Sequence, residues 1–188
     1  PNTCDYIGLD YLENGCSNYR SSMDIAGDGQ SLPFKNEVFD TVLLLDVFEH
    51  LPAPDRALDE INRVLGSKGK AIIQIPFMYP IHDAPNDYTR LTEHGLRQLF
   101  SQKGFKISDS YGRGHPIETA ALLLNIALVS TLLRVIEGSK LIGVAMLLFI
   151  VPSTVLSNIV GWLASKFGGR NALMPFSYQF VLEKEPRA

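Results

Sequence analysis

Hydrophobic and polar positions along the chain fall into two regimes, one alternating and one nearly unbroken. Up to about Tyr111, short apolar runs alternate with stretches of helical period. Residues 6–9 form a β-rich run ending at Asp10, and residues 23–25 make a second short stretch. Residues 42–45 are continuously apolar and end at Asp46, and residues 71–75 end at Pro76. Continuous apolar strands are what a sheet covered on both faces requires. Between the last two runs the spacing predicts a helix over 54–65, with Pro54 in its first turn and Ala57, Leu58, Ile61, Val64 and Leu65 as its apolar stripe. Gly66 and Gly69 predict the turn that follows. A second helix is expected from the N-cap Thr92 to about Lys103, stopped by Gly104, and residues 105–110 form the next strand. Right-handed crossovers would stack this β-α-β-α-β order into a doubly wound α/β sheet.

Beyond Tyr111 the pattern changes. Residues 119–133 carry no charge, and neither do residues 141–165. The second run exceeds the roughly 18 uncharged residues that mark a candidate membrane helix. Lys140 and Lys166 flank it, Trp162 sits near one end, and Pro152 and Asn158 interrupt it. Gly168 and Gly169 break the run, and residues 177–182 return to strand character. If that strand rejoins the sheet, the two apolar helices are an insertion joined near residues 137–139. Such a hairpin could dip into a bilayer, lie on one or cap a hydrophobic pocket, and ordinary core or oligomer contact is the alternative to any membrane role. The expected division is therefore 1–111, 112–170 and 171–188, with membrane surface contact through 119–166.

Composition excludes several classes. With 20% charged and 46% hydrophobic residues over 188 positions, neither disorder nor a disulfide scaffold is expected. A net charge of −3, without a basic stripe, argues against a nucleic-acid partner. Cys4 and Cys16 fit no zinc set and read as reduced thiols. His50, His82, Asp83 and His94 are scattered over different loops, so no metal is expected.

Ligands of open parallel sheets sit beyond the carboxyl ends of the strands. Asp10, Asp28 and Asp46 occupy that position, and an acid after such a strand can accept from both hydroxyls of a ribose. Each also suits a turn or helix cap. Their combination is more specific. The ordered segments Gly27-Asp28-Gly29-Gln30-Ser31-Leu32-Pro33-Phe34, Phe39-Asp40-Thr41-Val42, Asp46-Val47-Phe48-Glu49-His50-Leu51 and Glu60-Ile61-Asn62-Arg63-Val64-Leu65 resemble the class I S-adenosylmethionine-dependent methyltransferase family. The branch resembled is the small-molecule one related to ubiquinone and menaquinone biosynthesis.

The resemblance implies a Rossmann-like fold with S-adenosyl-L-methionine as cofactor. It assigns Asp10 to the ribose, Asp28 and Gly29 to the adenine, and Asp46 to the methionine part. Nothing before Tyr6 supplies the family's first strand and glycine-rich loop. The resemblance therefore implies that both lie upstream of Pro1, that a gap separates the strands at 6–9 and 42–45, and that the piece shown is inactive alone. Residues 82–92 resemble an H-D-x-P-x-D-Y-x-R-x-T segment of bacterial methyltransferases encoded near surface-glycan and lipid pathways. Asp83, Asp87, Tyr88 and Arg90 are thus candidate substrate contacts, although Arg90 is equally suited to clamp Asp83 or Asp87. His50 and His82 are the candidate bases.

The expected activity is methyl transfer to a small or lipid-linked acceptor, glycan- or quinone-like, in the cytoplasm or at the inner face of the membrane. Two rivals stay open: a membrane-associated binding module of the same fold without catalysis, and a nucleotide-dependent oxidoreductase fragment.

Overall fold

A computed structural model describes residues 5–11, 23–167 and 173–185. Cys4, Cys16, Gly168 and Gly169 lie outside the described residues. The elements run β1 (Leu9–Asp10), β2 (Ile25–Ala26), β3 (Phe39–Leu45), α1 (Pro54–Val64), β4 (Leu65–Pro76), α2 (Glu93–Gln102), β5 (Phe105–Arg113), α3 (Pro116–Gly138), α4 (Lys140–Phe167) and β6 (Ser177–Lys184). A short 3-10 turn, Phe48–His50, lies between β3 and α1.

Strands β3, β4, β6 and β5 form one sheet in that order, with β3 and β4 parallel. The last strand in the chain thus returns to the interior of the sheet, as the pattern at 177–182 predicted. β1 and β2 pair in parallel as a separate two-stranded sheet, Leu9 opposite Ile25 and Asp10 opposite Ala26. The architecture is the expected α/β one, with the paired helices α3 and α4 placed in sequence just before the last strand.

The chain divides into two compact units. The first comprises the residues up to Ile75, Asp83–Ser110 and those from Phe180 on; the second comprises Pro76–His82 and Tyr111–Gln179. In the first unit the apolar stripe of α1 (Leu58, Ile61, Val64) and the inward face of α2 (Leu96, Phe100) are buried with Ile73, Ile75, Phe105, Phe180 and Leu182. Phe100 and Phe180 meet edge to face at 5.1 Å. Burying each such side chain contributes about 1.5–3 kcal/mol, so this cluster is the main source of the unit's stability. Pro54 opens α1, and Thr92 Oγ1 accepts from Gly95 N at 3.2 Å to open α2. In the second unit His115 and Glu118 make a reciprocal cap on α3, with His115 N donating to Glu118 Oε2 at 2.8 Å and Ile117 N donating to His115 Nδ1 at 3.3 Å.

Two local expectations are corrected. The turn expected at Gly66–Gly69 lies inside β4, because the register passes from Phe39 opposite Leu65 to Thr41 opposite Lys70 and residues 66–69 loop out between them. Residues 42–45 of β3 are continuously apolar, yet Leu43 is 50% and Leu45 47% exposed, so the strand is not covered on both faces. Its place at the end of the sheet explains this: among the described residues only β4 pairs with it.

Candidate active site

In the first unit the polar loops gather where β1, β2 and β3 end. Asp10 closes β1; its carbonyl accepts from Gly27 N at 2.9 Å, and its Oδ1 accepts from Tyr11 N at 2.8 Å. That first bond ties the end of β1 to the loop after β2. Asp28 follows in a tight turn, its carbonyl accepting from Ser31 N and its Oδ1 from Gln30 N at 2.8 Å. Gln30 carries the chain of contacts onward, since Gln30 Oε1 accepts from Ala53 N at 2.8 Å while Gln30 Nε2 donates to Asp28. A Cβ added at Gly29 would meet only Leu51 Cδ2, at 4.0 Å, so the backbone there is open to a flat group. The loops after β1, β2 and β3 are therefore linked by successive hydrogen bonds through Asp10, Gly27, Asp28, Gln30 and Ala53.

The loop at 31–34 is fixed by the helix that follows it. Leu32 N donates to Glu60 Oε2 at 2.7 Å, and Arg63 donates to the carbonyls of Leu32 and Phe34 at 2.9 and 2.7 Å. Glu60 and Arg63 are themselves joined by two hydrogen bonds of 2.8 Å. The guanidinium holds the Glu60 carboxyl below the usual glutamate range. The Leu-Pro-Phe loop and the Glu-x-x-Arg helix thus occur together for a physical reason: the second supplies the hydrogen-bond partners of the first.

Asp46 stands at the end of β3 in the left-handed region, with φ of 53°, and its Oδ2 accepts from Gln74 Nε2 at 2.7 Å. Three residues on, Glu49 stands beside the candidate base His50. Glu49 is fully buried, and burial raises its carboxyl above the usual range, against a lowering by its own backbone N–H, His50 and Arg90. His50 Nε2 lies 3.7 Å from Glu49 Oε1. On its other side His50 Nδ1 donates to the carbonyl of Asn86 at 2.7 Å. A carbonyl only accepts, so the proton sits on Nδ1 and a neutral ring keeps its lone pair on Nε2.

The 83–92 segment folds onto this turn. Tyr88 N donates to the Glu49 carbonyl at 2.8 Å, and Tyr88 OH donates to Asn86 Oδ1 at 3.0 Å. Asp83, at φ of 52°, turns the chain so that Asn86 N reaches its carbonyl at 3.0 Å. Arg90 pairs with Asp87 through two bonds, 2.5 and 2.7 Å, rather than with Asp83. His82 belongs to the second unit, where its Nδ1 donates to the Pro80 carbonyl at 3.3 Å and its ring meets Tyr79 edge to face at 5.2 Å.

The fold is shared with known proteins. Residues 2–73 match the methyltransferase domain family. The fold is that of a class I methyltransferase. Among solved structures, the 4+2 cyclase SpnF superposes with a TM-score of 0.53 at 16% identity, over 87% of this chain and 56% of that one. A protein from Galdieria sulphuraria assigned as a sarcosine dimethylglycine methyltransferase superposes with a TM-score of 0.51 at 15% identity, over 86% of this chain and 58% of that one. An uncharacterized protein of Methanocaldococcus jannaschii is 48% identical over 44 residues, 23% of this chain and 19% of that protein. The chain thus spans under two thirds of the length of each. At these identities the structural likeness speaks for fold alone, and the cyclase shows that this fold also hosts other chemistry. The cofactor of the methyltransferase domain is S-adenosyl-L-methionine, and in this chain carboxylates stand at or just after the ends of β1, β2 and β3.

Proposed function

We propose that this protein is an S-adenosyl-L-methionine-dependent methyltransferase acting on a small or lipid-linked acceptor at the cytoplasmic side of a membrane. The observation that carries the reading is the hydrogen-bonded run of loops from Asp10 through Asp28 to Ala53, with Asp46 at the end of the neighbouring strand β3. In this reading Asp10 accepts from the ribose hydroxyls, Asp28 from the adenine amine with Gly29 beneath the base, and Asp46 faces the methionine part. When bound, the cofactor supplies an electrophilic methyl group on a sulfonium. The chain's task is then to align the acceptor and exclude water.

His50 is placed to take a proton from a hydroxyl acceptor, because the Asn86 carbonyl orients its ring and fixes the tautomer. His82 is the second candidate base by ring chemistry alone. Asp83 and Tyr88 are the proposed substrate contacts, with Asp87 and Arg90 as the pair that orders their loop.

Calorimetric titration of the intact protein with S-adenosylmethionine and with its demethylated product tests the reading. We expect saturable heat for both, weakened at least tenfold by Asp10→Ala and by Asp28→Ala. No heat with either compound would sink the methyltransferase reading. Heat without methyl transfer to any acceptor would leave the binding-module rival in its place.

A further inference from the structure

The helix pair α3–α4 is built inside out. Its inward side buries Leu132 and Ile150 but is otherwise largely small and polar: Asn125 Nδ2 donates to Asn158 Oδ1 at 3.0 Å, and Ser157 Oγ donates to Asn125 Oδ1 at 2.7 Å. Near the turn a Cβ added at Gly143 would stand 2.3 Å from Ile136 Cγ1, and at the open end one at Gly161 would stand 3.3 Å from Glu118 Cα. These pairings run antiparallel along the whole length, with small residues setting close backbone approach and polar ones bonding across. Helices pack in this way where lipid leaves no hydrophobic drive between them.

The outward side is apolar all round. Leu141, Leu148, Phe149, Val155, Leu156 and Trp162 are each between 54% and 82% exposed. Only 17% of the apolar window of α3 and 11% of that of α4 is buried, where a core helix would be mostly covered. Helices that lie flat on a membrane carry a strongly polar face, and neither of these does. The hydroxyls follow the same logic. Ser130, Thr131, Ser153, Thr154 and Ser165 each donate to a carbonyl of their own helix three or four residues earlier, so none needs water.

Length and charge identify what covers this surface. At 1.5 Å per residue, the 23 residues of α3 extend about 35 Å and the 28 of α4 about 42 Å, against roughly 30 Å of bilayer hydrocarbon. Charges sit only at the two ends: Arg134, Glu137 and Lys140 by the turn, Glu118 and Lys166 at the open end. Lys166 Nζ lies 5.5 Å over the Trp162 ring, the cation and indole pair that suits the phosphate level of a membrane. We propose that α3–α4 is a two-span hairpin inserted in a phospholipid bilayer, with Pro116 and Phe167 on one side and Ser139 on the other. The proposal goes beyond the methyltransferase reading and does not depend on it.

The test adds the intact chain to vesicles of phosphatidylcholine and phosphatidylglycerol, floated before and after alkaline carbonate. We expect flotation that survives carbonate, and its loss in Leu148→Glu/Leu156→Glu. In a Cys4→Ser/Cys16→Ser background, Ser139→Cys should react with an impermeant maleimide only after detergent, while Lys35→Cys reacts at once. Three results would overturn the proposal: a chain that stays soluble, a floated chain stripped by carbonate with Ser139→Cys open to the reagent, or a defined water-soluble oligomer that covers the same face. The labelling result stands even if the glutamate variant fails to fold, and the cofactor titration is read independently of both.

Discussion

Arg63 and Leu32 are 31 residues apart, yet Arg63 Nη2 donates to the Leu32 carbonyl at 2.9 Å. The same guanidinium reaches the Phe34 carbonyl at 2.7 Å and Asn36 Oδ1 at 2.8 Å, while holding Glu60. One side chain on α1 therefore fixes the path of the loop that follows the Asp28 turn. Truncation would leave two part-buried carbonyls and the Glu60 carboxylate short of partners. Arg63→Ala should cost about 1–3 kcal/mol in urea unfolding. Arg63→Lys should recover little of this, because a single ammonium cannot fork to carbonyls and carboxylate together. An unchanged urea midpoint in Arg63→Ala would show that the loop holds itself.

Glu60 and Glu49 should tilt the stability curve in opposite directions. The Glu60 pKa is lowered, first by its hydrogen bond from Arg63, so its contribution is present above the unfolded value and is lost as pH falls through the folded one. The Glu49 pKa is raised, first by desolvation, so its contribution is full below the unfolded value and is lost as pH rises through the folded one. Glu60→Gln should therefore flatten the acid limb, below the usual glutamate range. Glu49→Gln should flatten the limb above that range and gain on the wild type toward neutrality. Urea midpoints across pH 3 to 8 for both variants check this. Curves parallel to the wild type for both would refute the assignment.

The Asp87–Arg90 pair separates a structural role from a substrate-binding one. Asp87 is 3% exposed, so Arg90→Ala would take a two-bonded guanidinium away from a buried carboxylate at a cost of about 3 kcal/mol. Asp87→Asn/Arg90→Ala should cost clearly less than the two single changes summed, the signature of a coupled pair. If the two residues instead act only on substrate, the melting temperature will not move in any of the three variants, and only KM for the acceptor will rise.

How far the sequence could be read follows the range of the interactions involved. The helices at 54–65 and 92–103 were visible because their stripes and caps are local, and Thr92 does cap α2. The return of β6 was visible because a strand-like run after charge-free helices needs a partner. The partial exposure of β3 was not, since Leu43 and Leu45 are apolar whether or not anything covers them. Nor was the clamp of Gln30 and Arg63 on distant backbone, because a side chain's partner across 20 or 30 residues has no local signature. The burial of Glu49 has no local signature either, since an adjacent Glu-His pair also occurs at Glu93-His94, where neither residue is buried. Asp87 rather than Asp83 as the partner of Arg90 follows from the turn at Asp83, whose positive φ is set by the folded loop.

Gly114 provides the sharpest test of backbone geometry in the second unit. Its φ is +91°, and an added Cβ would stand 2.5 Å from Phe176 Cδ1 and 2.9 Å from Cε1. Phe176 cannot easily yield, because its N–H donates to the Arg113 carbonyl at 3.0 Å and its own carbonyl accepts from Phe77 N at 2.8 Å. Gly114→Ala should therefore destabilise by about 1–3 kcal/mol, combining a left-handed backbone with a steric clash. Gly138→Ala is the matched control: it ends α3 with nothing within 4 Å of an added Cβ, so alanine there should be neutral or stabilising by up to about 1 kcal/mol. Thermal melts of the two variants in the same lipid or detergent environment make the comparison. Equal melting temperatures would mean that the chain at Gly114 relaxes freely, and that the contact with Phe176 does not hold the entry to α3.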